Sequence, residues 1–329
     1  MSIITLSNHK TFTAEPDKTL LACAKSQGIV LEYSCRTGRC GVCKANVLQG
    51  ETEVIQPELA LTEDERASGA ILTCCRAATS DLELDIEDLG ALAEIQIRTM
   101  PCRLDTLERL ADDVVRVVLR TPPKSALFFL AGQYIDVIGK EGVRRSYSIA
   151  NAVREDAKLE LHIRQVPNGV MSQYWFGDAQ PNDLLRLEGP LGTFCLRETR
   201  TTNLVFMATG TGIAPVKAML EALAATPESL SGKHIYVYWG GRTEADLYWT
   251  PDFPTLGLTY RPTLSRANAQ WPGAKGYVQQ VVLAENLDLA DTSVYACGSE
   301  AMIHAAREVL TQAGLPLKHF HSDAFVSSN

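Results

Sequence analysis

Histidine is scarce in this chain, and cysteine is too thinly spread to serve as scaffolding. Six histidines and nine cysteines are distributed over 329 residues. An odd and sparse set of thiols excludes a disulfide-stapled secreted fold and points to free cysteines in a reducing compartment. No run of about 18 apolar residues occurs, which excludes a spanning helix. The segment Met1–Thr13 lacks a basic stretch followed by an apolar one, so no signal peptide is expected. An excess of basic residues is also missing. Of 39 acids and 31 bases, residues 1–92 hold 14 and 8, so this segment carries −6 of the net −8. Such a balance argues against nucleic acid as a partner; it either steers a basic protein or simply solubilises the surface. There is no internal repeat and no low-complexity tract, and a hydrophobic fraction of 46% supports sizeable cores. The expectation is a soluble, cytoplasmic, multidomain protein with no membrane partner, acting as a monomer.

What is present is a cluster of thiols. Cys35, Cys40 and Cys43 stand at C-x4-C-x2-C spacing, and Cys74 and Cys75 follow some thirty residues on. This spacing is that of a plant-type [2Fe–2S] cluster, which four thiolates hold. Gly38 and Gly41 suit a loop that must turn tightly and aim backbone N–H groups at sulfur. Zinc is the competing metal, but structural zinc favours two separated C-x2-C pairs or a Cys/His mixture, and His9 is the one histidine before residue 93.

Around the thiols the segment reads as α+β. Residues 3–6 and 11–13 form paired strands, and Thr19 caps a helix that ends at Gly28. Residues 44–48 make a strand, and Thr62-x-x-Glu65 is a capping box that opens a short acidic helix. Cys23 reads as a small core residue. Residues 93–100 form a linker before Pro101. From there the texture is all-β, with strands at 114–119, 134–138, 145–149 and 159–164 and a helix near 169–177. That spacing predicts an antiparallel β-barrel over 101–198. After Phe194 the pattern changes to apolar strands at 204–208, 234–239 and 293–296, alternating with helices at 215–225 and 299–313. This predicts a doubly wound α/β domain over 199–329.

Three further motifs carry chemistry. Arg145-Ser146-Tyr147-Ser148 sits on a barrel strand, Gly210-Thr211-Gly212-Ile213-Ala214-Pro215 joins a buried strand to a helix, and Tyr295-Ala296-Cys297-Gly298-Ser299 ends another strand. Guanidinium binds phosphate bidentately, phenol offers a flat face with a polar tip, and glycines admit close backbone approach. By itself, Cys297 reads equally well as a core thiol.

Together these motifs resemble the ferredoxin–NADP reductase superfamily, in the branch fused to a plant-type ferredoxin (β-grasp) domain over residues 1–92. In that branch the last cluster ligand follows a Leu-x pair and precedes an Asp-Leu-x-hydrophobic strand. Leu72 and Asp81-Leu82-Glu83-Leu84 make that ligand Cys74, with Cys75 its packing neighbour. The resemblance implies that Arg145, Ser146, Tyr147 and Ser148 hold FAD, with Ser148 near flavin N5. His162, Ile163, Gly169, Val170, Met171 and Ser172 continue that site, and Glu188–Phe194 close the barrel. It implies that Gly210, Thr211, Gly212 and Pro215 take the nicotinamide dinucleotide, and that the Cys297 thiol and Gly298 lie beside nicotinamide C4. Ser265 and Arg266 follow a strand where some relatives bind the 2′-phosphate of NADPH. NADH is nonetheless the expected coenzyme, with NADPH possible, because the ferredoxin-fused branch mostly uses it. Phe325 either covers the flavin or merely anchors the terminal segment.

The implied activity is that of an iron–sulfur flavoprotein reductase passing electrons from NAD(P)H through FAD and the cluster to a partner. Residues 71–75, 130–136, 144–152 and 322–326 resemble the reductases that serve a pyridoxamine-dependent dehydrase, the CDP-4-keto-6-deoxyglucose 3-dehydrase of 3,6-dideoxyhexose synthesis. An aromatic-ring or phenol-type oxygenase component is the alternative electron acceptor. A passive ferredoxin carrier or redox sensor is the different-class alternative, and it would need neither the Arg-x-Tyr-Ser strand nor the Gly210 turn.

Overall fold

The computed structural model describes residues 1–123, 125–139 and 142–325, which form two compact units, Met1–Gln96 and Ile97–Phe325.

The first unit runs β1 (Ser2–Leu6), β2 (Thr11–Ala14), α1 (Leu20–Ser26), β3 (Lys44–Gln49), β4 (Thr52–Val54), α2 (Glu63–Ala67), β5 (Ala70–Leu72), β6 (Arg76–Ala78) and β7 (Leu82–Leu84). Its mixed sheet has the order β2-β1-β7-β3-β5, with β1 and β7 parallel, and β4 pairs separately with β6. The local signals in the sequence act as expected. Thr19 accepts the Ala22 N–H to start α1, and Thr62 and Glu65 form a reciprocal cap on α2. The helix buries Leu20, Leu21 and Ala24 against Ile4, Leu6, Phe12 and Leu84, a β-grasp core.

The second unit opens with β8 (Arg98–Ala111), β9 (Val114–Arg120), β10 (Tyr134–Ile138), β11 (Arg144–Ser148), β12 (Lys158–Arg164), α3 (Val170–Gln173) and β13 (Leu184–Leu191). The strand order is β11-β10-β13-β8-β9-β12, and an Ile149–Leu161 bridge joins the two edges into a barrel. Two expectations are corrected here. Residues 98–100 of the expected linker belong to β8, whose Met100, Cys102 and Leu104 alternate inward. Pro101 is tolerated inside the strand because it pairs with Arg186 of β13, while β9 joins only from Arg103. The helix expected over 169–177 is also two pieces, since after Gln173 the chain widens into a π-helical turn over Tyr174–Asp178.

The unit continues with β14 (Asn203–Thr209), α4 (Ile213–Ala225), β15 (His234–Gly241), β16 (Thr259–Leu264), β17 (Ala274–Lys275), α5 (Val278–Ala284), β18 (Thr292–Ser299), α6 (Glu300–Gln312) and β19 (Phe320–Phe325). Its sheet is wholly parallel, in the order β17-β16-β15-β14-β18-β19. Chain order reverses between β14 and β18. In open α/β sheets that switch point, at the carboxyl ends of the strands, opens the crevice where ligands sit.

Candidate functional site

The thiols of the first unit occupy an irregular loop between α1 and β3. The backbone turns there at Arg36, Gly38 and Gly41, with φ of 59°, 72° and 70°. Gly38 cannot be replaced without movement, because a β-carbon would stand 2.1 Å from the Pro57 carbonyl and 2.8 Å from the Cys75 sulfur. The sulfurs are gathered in two pairs. Cys43 Sγ lies 3.2 Å from Cys74 Sγ, and Cys35 is hydrogen-bonded to Cys40. Each bond holds one thiol of its pair below its ordinary value and pushes the other up. Cys35 falls to about 4, and Cys74 to about 7. All nine cysteines are free.

This donor set fits a dinuclear cluster, in which each iron takes two thiolates. It fits a lone zinc poorly. Zinc needs four donors converging on one point, whereas these sulfurs are gathered as two pairs. Cys75 is fully buried, with its sulfur 3.5 Å from the Pro57 carbonyl and 3.5 Å from Cys74 Sγ. Glu58, missed in the sequence, pins the strand ends on either side of these two cysteines. Its buried carboxylate accepts the Leu72 N–H at 2.7 Å and two Arg76 bonds at 3.0 and 2.8 Å. A single carboxylate far from the cysteine motif in sequence carries no pattern that would reveal this.

In the second unit, β11 is antiparallel to β10 in a register that sets Tyr147 opposite Ile135 and Ser148 opposite Tyr134. Alternation puts Arg145 and Tyr147 on one face of β11 and Ser146 on the other, while Ser148 is the last residue of the strand. The Ser146 hydroxyl donates to Asp136 at 2.6 Å. The Tyr147 hydroxyl accepts the Trp175 indole N–H at 3.0 Å, which fixes the phenol ring, and burial pushes its pKa up to about 12. Trp175 was missed in the sequence because it reads there as one more apolar residue of a helix.

After β12 the chain turns at Val166–Gly169 into α3, with Gly169 at its N-cap. The left-handed residue is Asn168, with φ 60°, and Gly169 has ordinary geometry. Met171 is buried, Val170 is exposed, and the Ser172 hydroxyl accepts the Val166 N–H at 2.9 Å. Ile163 is a core residue. His162 is buried, with Nε2 3.1 Å from Glu160 and Nδ1 3.2 Å from the Tyr248 hydroxyl. Burial pushes the imidazole down, so it is neutral; an Nε2–H donating to Glu160, with Nδ1 accepting from Tyr248, satisfies both contacts. The side chains of His162 and Ile163 are therefore engaged within the protein, and only their main chain is left to meet a ligand.

At the switch point, β14 runs into a 3-10 turn over Gly210–Gly212. Gly210 has φ 55°, and its carbonyl accepts the Trp239 indole N–H at 2.9 Å. A β-carbon on Gly212 would stand 2.2 Å from the Cys297 carbonyl, and one on Gly298 would stand 2.2 Å from Thr209 Oγ1. The ends of β14 and β18 thus touch through backbone. Pro215 is the third residue of α4 rather than its first, still within the turn that lacks internal N–H partners. The Cys297 side chain lies in the core cluster with Phe206 and Tyr295, where burial pushes its thiol well up. Ser265 and Arg266 are exposed and bonded through their amides to Gly241 and Arg242 at 3.0 and 2.9 Å. Phe325 is 36% exposed at the end of β19, in register with Ser299. Gly210, Gly298, Ser265 and Phe325 all fall at the carboxyl edge of one sheet, although they are far apart in sequence.

A two-by-two set of thiols on a β-grasp sheet, a barrel, and a parallel sheet with a glycine turn at its switch point together define an NAD(P)H-dependent iron–sulfur flavoprotein oxidoreductase. The chain belongs to the family of ferredoxin-fused flavoprotein reductases. Residues 4–79 match the 2Fe-2S iron-sulfur cluster binding domain, 101–195 the oxidoreductase FAD-binding domain and 206–308 the oxidoreductase NAD-binding domain. The chain is 44% identical to the CDP-6-deoxy-L-threo-D-glycero-4-hexulose-3-dehydrase reductase of Yersinia pseudotuberculosis, over 96% of each chain. It is 30% identical to the xylene/toluene monooxygenase electron transfer component of Pseudomonas putida, over 95% of this chain and 90% of that one. Among solved structures, a cytochrome P450 reductase of Amycolatopsis superposes with a TM-score of 0.75 at 28% identity, covering the whole of both chains. The chain is thus an electron-transfer reductase with FAD, a [2Fe–2S] cluster and a nicotinamide coenzyme as its redox groups.

The contact between Gly212 and Cys297 makes a prediction. Gly212→Ala would force β14 and β18 apart and weaken nicotinamide coenzyme binding at least tenfold. The visible spectrum of the iron–sulfur unit would not change, and fluorescence titration with NAD⁺ beside an absorption spectrum reads both quantities.

Proposed function

We propose that this chain takes a hydride from NADH at the carboxyl edge of its parallel sheet and delivers the electrons singly to a pyridoxamine-dependent dehydrase acting on CDP-4-keto-6-deoxyglucose. One observation carries the choice of partner. Identity is 44% along the full length of a CDP-hexulose dehydrase reductase, against 30% along an oxygenase component. The acidic balance of residues 1–92 favours a basic docking face on that partner. The protein works in the cytoplasm as a monomer.

FAD held here would supply the conversion between two-electron chemistry with the nicotinamide and one-electron chemistry with the cluster, for which a plant-type potential lies at roughly −400 mV. The protein's own residues set the geometry. Cys35, Cys40, Cys43 and Cys74 would hold the cluster, as the thiol pairs Cys35–Cys40 and Cys43–Cys74. Cys40, Cys43 and Cys74 are nearly inaccessible, which keeps water from the sulfurs. Arg145 neutralises the FAD diphosphate as a bidentate donor. The Tyr147 ring, pinned by Trp175, offers its face to the flavin, and the Ser148 hydroxyl donates near N5. Ser146 leaves this set because its hydroxyl is committed to Asp136. The main chain at His162–Ile163 and Gly169–Ser172 completes the flavin site. Gly210, Thr211, Gly212, Pro215 and Gly298 line the dinucleotide path, with Cys297 kept as a neutral thiol behind the nicotinamide. Ser265 and Arg266 face the adenosine ribose, and Phe325 covers the flavin until the coenzyme docks.

The ligand assignment separates two neighbouring thiols. Cys74→Ser should abolish the iron–sulfur absorption of the purified protein, while Cys75→Ser should leave it in place; the reverse pattern would move the fourth ligand to Cys75. The partner assignment is tested by reconstitution. Purified chain mixed with the CDP-4-keto-6-deoxyglucose dehydrase should couple NADH oxidation to deoxygenation of the sugar nucleotide, with NADPH at least tenfold less effective. Coupling to an aromatic oxygenase component instead would overturn the partner, and a preference for NADPH would reassign Arg266 to the 2′-phosphate.

A further inference from the structure

A cluster of buried charge in the second unit lies where α4 meets the barrel. Glu160 of β12 is its centre, with a side chain only 3% exposed. One carboxylate oxygen faces His162 Nε2 at 3.1 Å and Lys217 Nζ at 3.1 Å. The other faces Arg116 at 3.3 Å and Arg154 at 3.6 Å. Burial works against this carboxylate, and the His162 bond with Lys217 and Arg116 more than offsets it, so Glu160 stays charged. Lys217, also largely buried, comes from α4. It donates to the Ala150 carbonyl at 3.0 Å and to Glu221 at 2.6 Å. Glu221, one turn further along α4, accepts the Ala152 N–H at 3.0 Å and bonds to Arg154.

The position of these contacts matters more than their number. Ala150 is two residues beyond Ser148, at the end of the strand assigned to the flavin. Lys217 is one helical turn into α4, which begins directly after the Gly210–Gly212 turn assigned to the nicotinamide. Lys217 and Glu221 therefore clasp the main chain that leads out of one site from the helix that leads out of the other. A buried ion cluster gains little stability over an apolar contact of the same volume. Directional bonds to main-chain atoms do something an apolar contact does not, because they hold one element in a single register against another. Hydride transfer is sensitive to register, since about 1 Å of misplacement can cost on the order of a hundredfold in rate.

We propose that Lys217, held by Glu160, is a positioning residue for hydride transfer, locking the Gly210–Gly212 turn in register with the end of β11. This rests on the flavin and nicotinamide assignments above. Lys217→Met suits the test because it strands no buried charge. Glu160 keeps His162, Arg116 and Arg154, and Glu221 keeps Arg154 and the Ala152 amide.

The full chain, carrying FAD and cluster, would be mixed rapidly and anaerobically with NADH. In Lys217→Met the limiting rate of flavin bleaching should fall about a hundredfold, with the NADH dissociation constant within threefold of the parent. Dithionite should still reduce both groups fully, and Lys217→Arg should recover most of the rate. A limiting rate in Lys217→Met within twofold of the parent overturns the positioning role, whatever the melting temperature does. An unmodified protein that NADH fails to bleach overturns the underlying site assignment as well.

Discussion

No β-carbon fits between Gly212 and the Cys297 carbonyl, and the rest of the second unit is arranged around that approach. Two strands that are neighbours in the sheet but some ninety residues apart in the chain meet through bare backbone at their carboxyl ends. Because they meet there, the crevice of the switch point is floored by main chain rather than side chains. The bulk of the neighbouring residues points elsewhere: Trp239 hydrogen-bonds to the Gly210 carbonyl, and the Cys297 side chain is drawn into the core.

The same principle governs the first unit on a smaller scale. Gly38 lets the cysteine loop press against the Pro57 carbonyl, and the Ala60 amide returns a hydrogen bond to the Gly38 carbonyl at 2.9 Å. Glu58, in the segment so held, reaches across to Leu72 and Arg76 and fixes where Cys74 stands relative to Cys43. Cys74, some thirty residues from Cys43 in the chain, thus stands beside it. Redox groups need rigid distances, and in both units closely packed backbone and a few buried charges supply the rigidity.

Local signals were readable in the sequence wherever the chemistry is local. The Thr19 and Thr62 caps, the positive φ at Gly38 and Gly41, and the switch from β to alternating α/β texture near Phe194 each depend on residues close together in the chain. The motif order also predicted the domain series and its redox groups. Long-range competition hid the remainder. Pro101 disguised the first half of β8 because its tolerance depends on which partner strand is present there. The partners of the His162 ring were hidden too: Tyr248, from far along the chain, meets one nitrogen, and Glu160, two residues away on β12, meets the other. Lys217 and Glu221 belong to no motif and drew no reading in the sequence; the packing of α4 on the barrel is what buries Lys217 and partly covers Glu221.

The central claim is that nicotinamide electrons reach the cysteine cluster through the flavin of the same chain. Anaerobic mixing of purified protein with one equivalent of NADH, followed by visible absorption and by electron paramagnetic resonance of frozen samples, tests it most directly. Flavin absorption should bleach first, and the signal of a reduced [2Fe–2S] cluster should rise from the same molecules afterwards. A flavin that bleaches while the cluster stays oxidised, or a colourless protein that holds zinc, would contradict it.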